Sequence, residues 1–235
     1  MYLKIAKLEY ISSMKINQFI DHTLLKPEAQ LAQIQALCNE AKEWDFYSVC
    51  INSYFVKKAV SFLNGSNVKV CTVVGFPLGA STMETKRFEA MKAVAEGARE
   101  VDMVINISAI KSQDWQYVLD DMSSLAQVTH QQGAILKVIL ETCLLTDEEK
   151  KKACELAVKA NVDFVKTSTG FSTGGATIED IKLMRSVVGT KMGIKASGGI
   201  RDLETAKAMI EAGATRLGTS SGILIAKGLQ AEGSY

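Results

Sequence analysis

Short apolar runs alternate along this chain with longer stretches whose apolar residues recur at helical spacing. The runs cover 19–20, 47–51, 68–74, 101–105, 135–140, 162–165, 193–195 and 216–218. They are the length of strands, and they repeat at roughly the size of one strand–helix unit. The first and the last two are weak on their own. Between them lie helix signals. Pro27 sits where a first helical residue belongs. Ser81-x-x-Glu84 and Thr146-x-x-Glu149 read as capping boxes, and Thr177-x-x-Asp180 as a looser one. Gly97, Gly133 and Gly213 fall near expected helix ends.

Strands that are apolar throughout, alternating with helices, predict a parallel sheet covered on both faces. Eight of them predict a closed (β/α)8 barrel of the TIM class, forming one domain over 1–235. Residues 1–15 read as a lead-in and 226–235 as a mobile tail. An open doubly wound sheet is the alternative; against it, no G-x-G-x-x-G opens a helix after an early strand.

Composition narrows the classes. The chain has 235 residues, 47% of them hydrophobic, enough for one large core. Its net charge of +1 gives no field of one sign, so neither nucleic acid nor an anionic membrane is the expected partner. Cys38, Cys50, Cys71, Cys143 and Cys154 make no C-x-x-C pair, which fits a reducing compartment. No apolar run approaches a membrane span, and the first residues do not read as a signal peptide. A cytoplasmic protein is expected.

Barrels carry their chemistry at the C-terminal strand ends, so the residues that close each run are the candidates. Lys166 closes the sixth, in "VDFVKTSTG", and Lys195 the seventh, in "MGIKASGG". A lone strand-end lysine ordinarily snorkels to the rim or pairs with a carboxylate. Two on adjacent strands point into one mouth, where like charge raises the cost of protonating both. A lysine amine without its proton is the nucleophile of Schiff-base chemistry.

Gly198 and Gly199 precede a helix in "KASGGIRD", and Gly218, Ser220 and Ser221 lie in "LGTSSGILI". Glycine loops and helix N-termini bind phosphate, often after strands 7 and 8 of a barrel. The serines have a second reading, as caps of the last helix. Asp102, in "EVDMVIN", is a carboxylate inside an apolar run and needs a partner. It reads either as an ion pair with Lys137 or as a proton-transfer group facing the two lysines. It sits early in its run, low for a residue serving the barrel's top. Asp21 and Thr23 read as caps of the helix that follows, or as support for the site. Cys50 reads as a buried structural thiol that a rim position would open to aldehydes. His22 and His130 are the only histidines, so no His-rich zinc site is offered. Neither a metal nor another cofactor is expected.

"FIDHTLLKPE", "VCTVVGFPLG", "EVDMVINI", "LKVILETCLL", "FVKTSTGF", "IKASGGIR" and "LGTSSG" resemble, in that order, the deoxyribose-phosphate aldolases. The resemblance runs from about residue 19 to 223. It implies a (β/α)8 barrel and a class I aldolase without a cofactor. The implied reaction reversibly cleaves 2-deoxy-D-ribose 5-phosphate to D-glyceraldehyde 3-phosphate and acetaldehyde. It implies Lys166 as the imine-forming lysine, Lys195 as its perturbing neighbour and Asp102 as a proton-relay partner. It further implies phosphate contacts at Gly170, Phe171, Gly198, Gly199, Gly218, Ser220 and Ser221. Some members place a lysine where Phe171 stands, so that side chain adds no charge here. Some use a C-terminal tyrosine as a proton carrier, a role open to Tyr235. A homo-oligomer, dimer or tetramer, is the expected state. Two other readings stay open: a phosphosugar isomerase or epimerase in which Lys166 is only a charge, and a catalytically silent barrel.

Overall fold

A computed structural model describes residues 15–229. Eight parallel strands close into one barrel in chain order, β1 pairing with both β2 and β8. They are β1 (Ile20–Leu24), β2 (Ser48–Ile51), β3 (Lys69–Val74), β4 (Glu100–Val104), β5 (Ile135–Ile139), β6 (Phe164–Lys166), β7 (Gly193–Ser197) and β8 (Arg216–Thr219). The closed order excludes the open sheet. All eight expected runs are strands, shifted at most a few residues.

Nine helices are described: α1 (Leu31–Glu43), α2 (Val56–Phe62), α3 (Met83–Ala95), α4 (Ile107–Lys111), α5 (Trp115–Gln131), α6 (Asp147–Lys159), α7 (Ile178–Val188), α8 (Leu203–Ala212) and α9 (Gly222–Lys227). Their starts follow local chemistry. The Thr146–Glu149 box forms in both directions at α6, and the Thr177 hydroxyl accepts from the Asp180 N–H at α7. Two expected starts are corrected. Thr82, not Ser81, caps α3, by accepting from the Thr85 N–H. Pro27 lies in a turn, and α1 begins at Leu31 behind a reciprocal Gln30–Gln33 box. Gly97, Gly133 and Gly213 take positive φ just past α3, α5 and α8.

Strand alternation sorts the side chains into two environments. One parity, including Val49, Val70, Met103, Val138, Val165, Ile194 and Leu217, joins the helices in the main apolar core. The other parity points into the barrel. There it is charged: Asp21, Glu100, Asp102, Lys137, Lys166, Lys195 and Arg216 are all buried. The strongest apolar layer is thus the ring between sheet and helices, and the lumen is polar. Among the described residues, no helix is long and apolar enough to cross a membrane.

Candidate active site

The lumen is organised around Asp102. It stands opposite Lys137 in the β4–β5 register, while Lys166 stands opposite Ile139, two residues further along. Two residues of strand are about 6–7 Å, the length of an extended lysine side chain. Lys166 therefore reaches down from the strand end to meet Asp102. Its Nζ donates to Asp102 Oδ2 at 2.9 Å, and Lys195 Nζ donates to the same oxygen at 2.8 Å. The other oxygen, Oδ1, accepts from Lys137 Nζ at 2.7 Å. Both readings of Asp102 thus describe its place: it pairs with Lys137 and faces the two lysines. Its early position is the depth at which three amines converge.

A second layer lies beneath. Lys137 Nζ is 2.6 Å from Glu100 Oε2 and 3.8 Å from Asp21 Oδ2. Lys195 Nζ is 2.5 Å from Asp21 Oδ2, an ion pair without hydrogen-bond alignment. Arg216 Nη1 donates to Asp21 Oδ1 at 2.8 Å and to Glu100 Oε2 at 3.0 Å. Its guanidinium lies 3.5 Å from the centre of the Tyr47 ring, a cation–π seat.

Burial opposes the charges of Asp102, Asp21, Lys195 and Lys137, and their partners prevail. Burial alone would raise Asp102, but Lys137, Lys166 and Lys195 hold it well below the usual carboxylate range. Asp21 is likewise held low, against burial, by Lys195, Arg216 and Lys137. Burial would lower Lys195, yet Asp102 and Asp21 push it well above an ordinary lysine. Lys137 is pushed up in the same way, chiefly by Asp102.

Cys50 and Cys71 complete the wall. Cys71 Sγ donates to Asp102 Oδ1 and accepts from Lys137 Nζ, both at 3.2 Å. Donor atoms of Cys50, Cys71 and Asp102 gather within 4.8 Å of one another, as do those of Asp21, Cys71 and Glu100. Neither set suits a metal ion. The Lys137 ammonium already sits against Asp102, Glu100 and Cys71, and a second cation there would meet it at close range.

The mouth is built by the loops after β5, β6 and β7. Glu141, with a left-handed backbone, is buried and accepts from both the N–H and the hydroxyl of Thr169. Thr169 Oγ1 in turn accepts from the Phe171 N–H at 3.0 Å. Phe171 is half exposed and meets Phe76 edge-on at 5.3 Å. The Gly198 carbonyl accepts from the Ala176 N–H, and a side chain at Gly198 would stand 2.9 Å from the Gly175 Cα. The two loops meet backbone to backbone, which requires glycine. Gly170, Gly198 and Gly199 all have positive φ. Ser220 is exposed at the end of β8, with Ser221 next to it half-buried. Two buried hydroxyls, Ser168 and Ser197, have no partner. They stand two residues beyond Lys166 and Lys195, and Ser197 shares the inward parity of Lys195 on β7.

Three capping expectations change. Asp21 caps no helix: it is buried in the ion network, and α1 is capped by Gln30. Thr23 does not cap α1 either; its hydroxyl donates to the Asp21 carbonyl at 2.7 Å. Ser221 stands at the N-cap of α9 but makes no side-chain capping bond. Cys50 is fully buried on the inner wall, as its reading as a buried thiol expects, and not at a rim. Tyr235 lies outside the described residues. The sequence reading missed Glu100, Arg216, Cys71, Glu141 and the two serines. A charge that opens an apolar run, as Glu100 and Arg216 do, was the available signal.

Comparison with known proteins converges on one family. The profile described as DeoC/LacD family aldolase matches residues 15–228. The chain is 60% identical to the deoxyribose-phosphate aldolase of Brevibacillus brevis over 94% of this chain and 99% of that protein. It is 58% identical to the Streptococcus sanguinis enzyme of that name, over 94% and 100%. The structure overlays the deoxyribose phosphate aldolase of Aeropyrum pernix with a TM-score of 0.87 at 32% identity, covering 94% of this chain and 93% of that one. A closed barrel with paired lumen lysines, matched from end to end, belongs to the DeoC/LacD family of aldolases, which are carbon–carbon lyases.

Proposed function

We propose that this enzyme reversibly cleaves 2-deoxy-D-ribose 5-phosphate to D-glyceraldehyde 3-phosphate and acetaldehyde, through a Schiff base on Lys166. The observation that carries the reading is the shared oxygen: Lys166 and Lys195 both donate to Asp102 Oδ2 inside the barrel. Several relatives with 57–60% identity bear the name of that activity.

The imine needs a neutral amine. In the lumen, Asp21, Glu100 and Asp102 face Lys137, Lys166, Lys195 and Arg216. Three carboxylates balance three cations, so the cluster is neutral overall when Lys166 carries no proton. Lys166 is also the lysine with a single carboxylate partner, and that partner is shared. Its amine adds to the substrate aldehyde, and loss of water gives an iminium. The iminium takes up the electron pair as the bond between carbons 3 and 4 breaks. Glyceraldehyde 3-phosphate leaves, and the acetaldehyde enamine is protonated and hydrolysed. Asp102 and Lys195 lie close enough to Lys166 to carry these protons, directly or through one water. The phosphate is held by the loops bearing Gly170, Phe171, Gly198, Gly199, Gly218, Ser220 and Ser221. That anchor lies away from the breaking bond, so its binding energy orients the reacting carbons. The Aeropyrum pernix neighbour is described as tetrameric, and a homo-oligomer is proposed here too.

Borohydride reduction in the presence of acetaldehyde tests the reading. It should leave an N-ethyl group on Lys166 alone and abolish turnover. An adduct on another lysine, or none, would replace the assignment. The isomerase and the silent-barrel alternatives both predict no adduct.

A further inference from the structure

We propose that Cys50 and Cys71 form an oxidisable dithiol in the barrel wall, a modification site where a peroxide closes a disulfide between β2 and β3. The two residues are direct partners in the β2–β3 register. Adjacent strands lie about 4.8 Å apart, inside the Cα separation that a disulfide spans. Both side chains take the inward parity, and both sulfurs lie with an Asp102 oxygen inside a 4.8 Å group. The pair is set apart from the main core: with Leu25, Val73 and Phe76 it forms a separate small cluster. Phe76 meets Phe171, so this cluster continues to the side chains at the mouth.

The two thiols differ in reactivity. The neighbouring Cys71 thiol draws the Cys50 thiol down to about 7; Lys195 and Lys166 add to this, against burial and Asp102. Burial, then the neighbouring Cys50 and the charge of Asp102, push Cys71 well above an ordinary thiol. One sulfur is therefore the nucleophile and the other keeps its proton. The remaining buried thiols are inert by comparison: burial raises Cys38 to about 11 and Cys154 to about 12.

The chemistry balances with hydrogen peroxide as oxidant. The Cys50 thiolate attacks one oxygen, the O–O bond breaks, and hydroxide leaves to take up the proton Cys50 had lost. The Cys71 sulfur then attacks the Cys50 sulfenic acid, the S–O bond breaks, and the Cys71 proton leaves with hydroxide as water. Two thiols lose two electrons, and one peroxide becomes two waters. Closure turns the Cys71 sulfur away from Asp102 and Lys137, which it now bridges, and so disturbs the carboxylate that serves Lys166.

Peptide mapping of the full chain decides it. The enzyme is treated with hydrogen peroxide, its free thiols are alkylated under denaturing conditions, and the protein is digested with trypsin. Cys50 and Cys71 fall in separate peptides, 43–57 and 70–86. The expected result is a disulfide-linked pair of these peptides, with activity down about tenfold or more and both effects reversed by dithiothreitol. The link should persist in Cys143→Ser and vanish in Cys50→Ser and Cys71→Ser. Should those two variants not fold, the wild-type map still decides. Sulfinic acid at Cys50 with no link, or a link confined to Cys143, would overturn the proposal. A linked pair with full activity would reject its coupling to Asp102.

Discussion

Gly218 stands where any side chain would strike Lys195. A Cβ built there would lie 2.9 Å from Lys195 Cε, and closer still to Ser197 Oγ. The glycine in "LGTSSG" lies within β8 and is a spatial requirement of the neighbouring strand. Gly218→Ala should shift Lys195 off Asp102 and lower kcat by about 10²-fold, an effect typical of misplacement near 1 Å. Steady-state kinetics beside an unchanged circular dichroism spectrum would check this. Wild-type kcat would show that Lys195 tolerates displacement.

Asp102→Asn keeps the shape and removes the charge that Lys137, Lys166 and Lys195 share. Turnover should fall by about 10²–10⁴-fold, the range for losing a proton-transfer group. Stability should fall by about 3–5 kcal/mol, the cost of breaking a buried pair. Urea unfolding and single-turnover kinetics measure the two losses separately.

Lys195→Leu should cost about 3–5 kcal/mol, because Asp21 and Asp102 stay buried with one cation fewer. It should also move the rising limb of kcat/KM against pH to higher pH, since a neighbouring cation has gone. A superimposable pH profile would rule out any influence of Lys195 on the reacting amine.

Stability against pH should show a plateau with two edges. Asp21 and Asp102 are held below the ordinary carboxylate range. Their contribution is complete above about pH 4–5 and lost as pH falls toward their folded values. Lys137 and Lys195 are held above the ordinary lysine range. Theirs is complete below about pH 10 and lost as pH rises toward their folded values. Chemical denaturation between pH 3 and 11 checks both edges.

Lys86 and Asp121 form a second buried pair, 2.6 Å apart between α3 and α5, outside the lumen. Asp121→Ala should cost about 3–5 kcal/mol by stranding a buried ammonium, with kcat/KM unchanged. A drop in kcat/KM without loss of Tm would connect the outer ring to the site.

These cases also explain what could be read from the residues alone. Lys166 and Lys195 were legible because each is a charge that ends an apolar run, in matching places on neighbouring strands. Arg216 and Glu100 open their runs and were passed over as strand edges. Only the register, which slides successive strands along one another, brings them level with Asp21. Of the two readings of Asp21, support for the site holds and the cap does not, and Pro27 marks a turn four residues before α1 begins. A local start signal carries no count of the loop residues around it. Glu141 gave no pattern at all, since its partner Thr169 is 28 positions away.

The Asp21–Arg216 pair joins the first strand to the last, 195 positions apart. A chain emerging from the ribosome holds Asp21 without that counter-ion until β8 has been made. Sealing the seam between β8 and β1 thus waits electrostatically for the last strand of the barrel, and a fragment lacking β8 would leave the Asp21 carboxylate without its Arg216 partner.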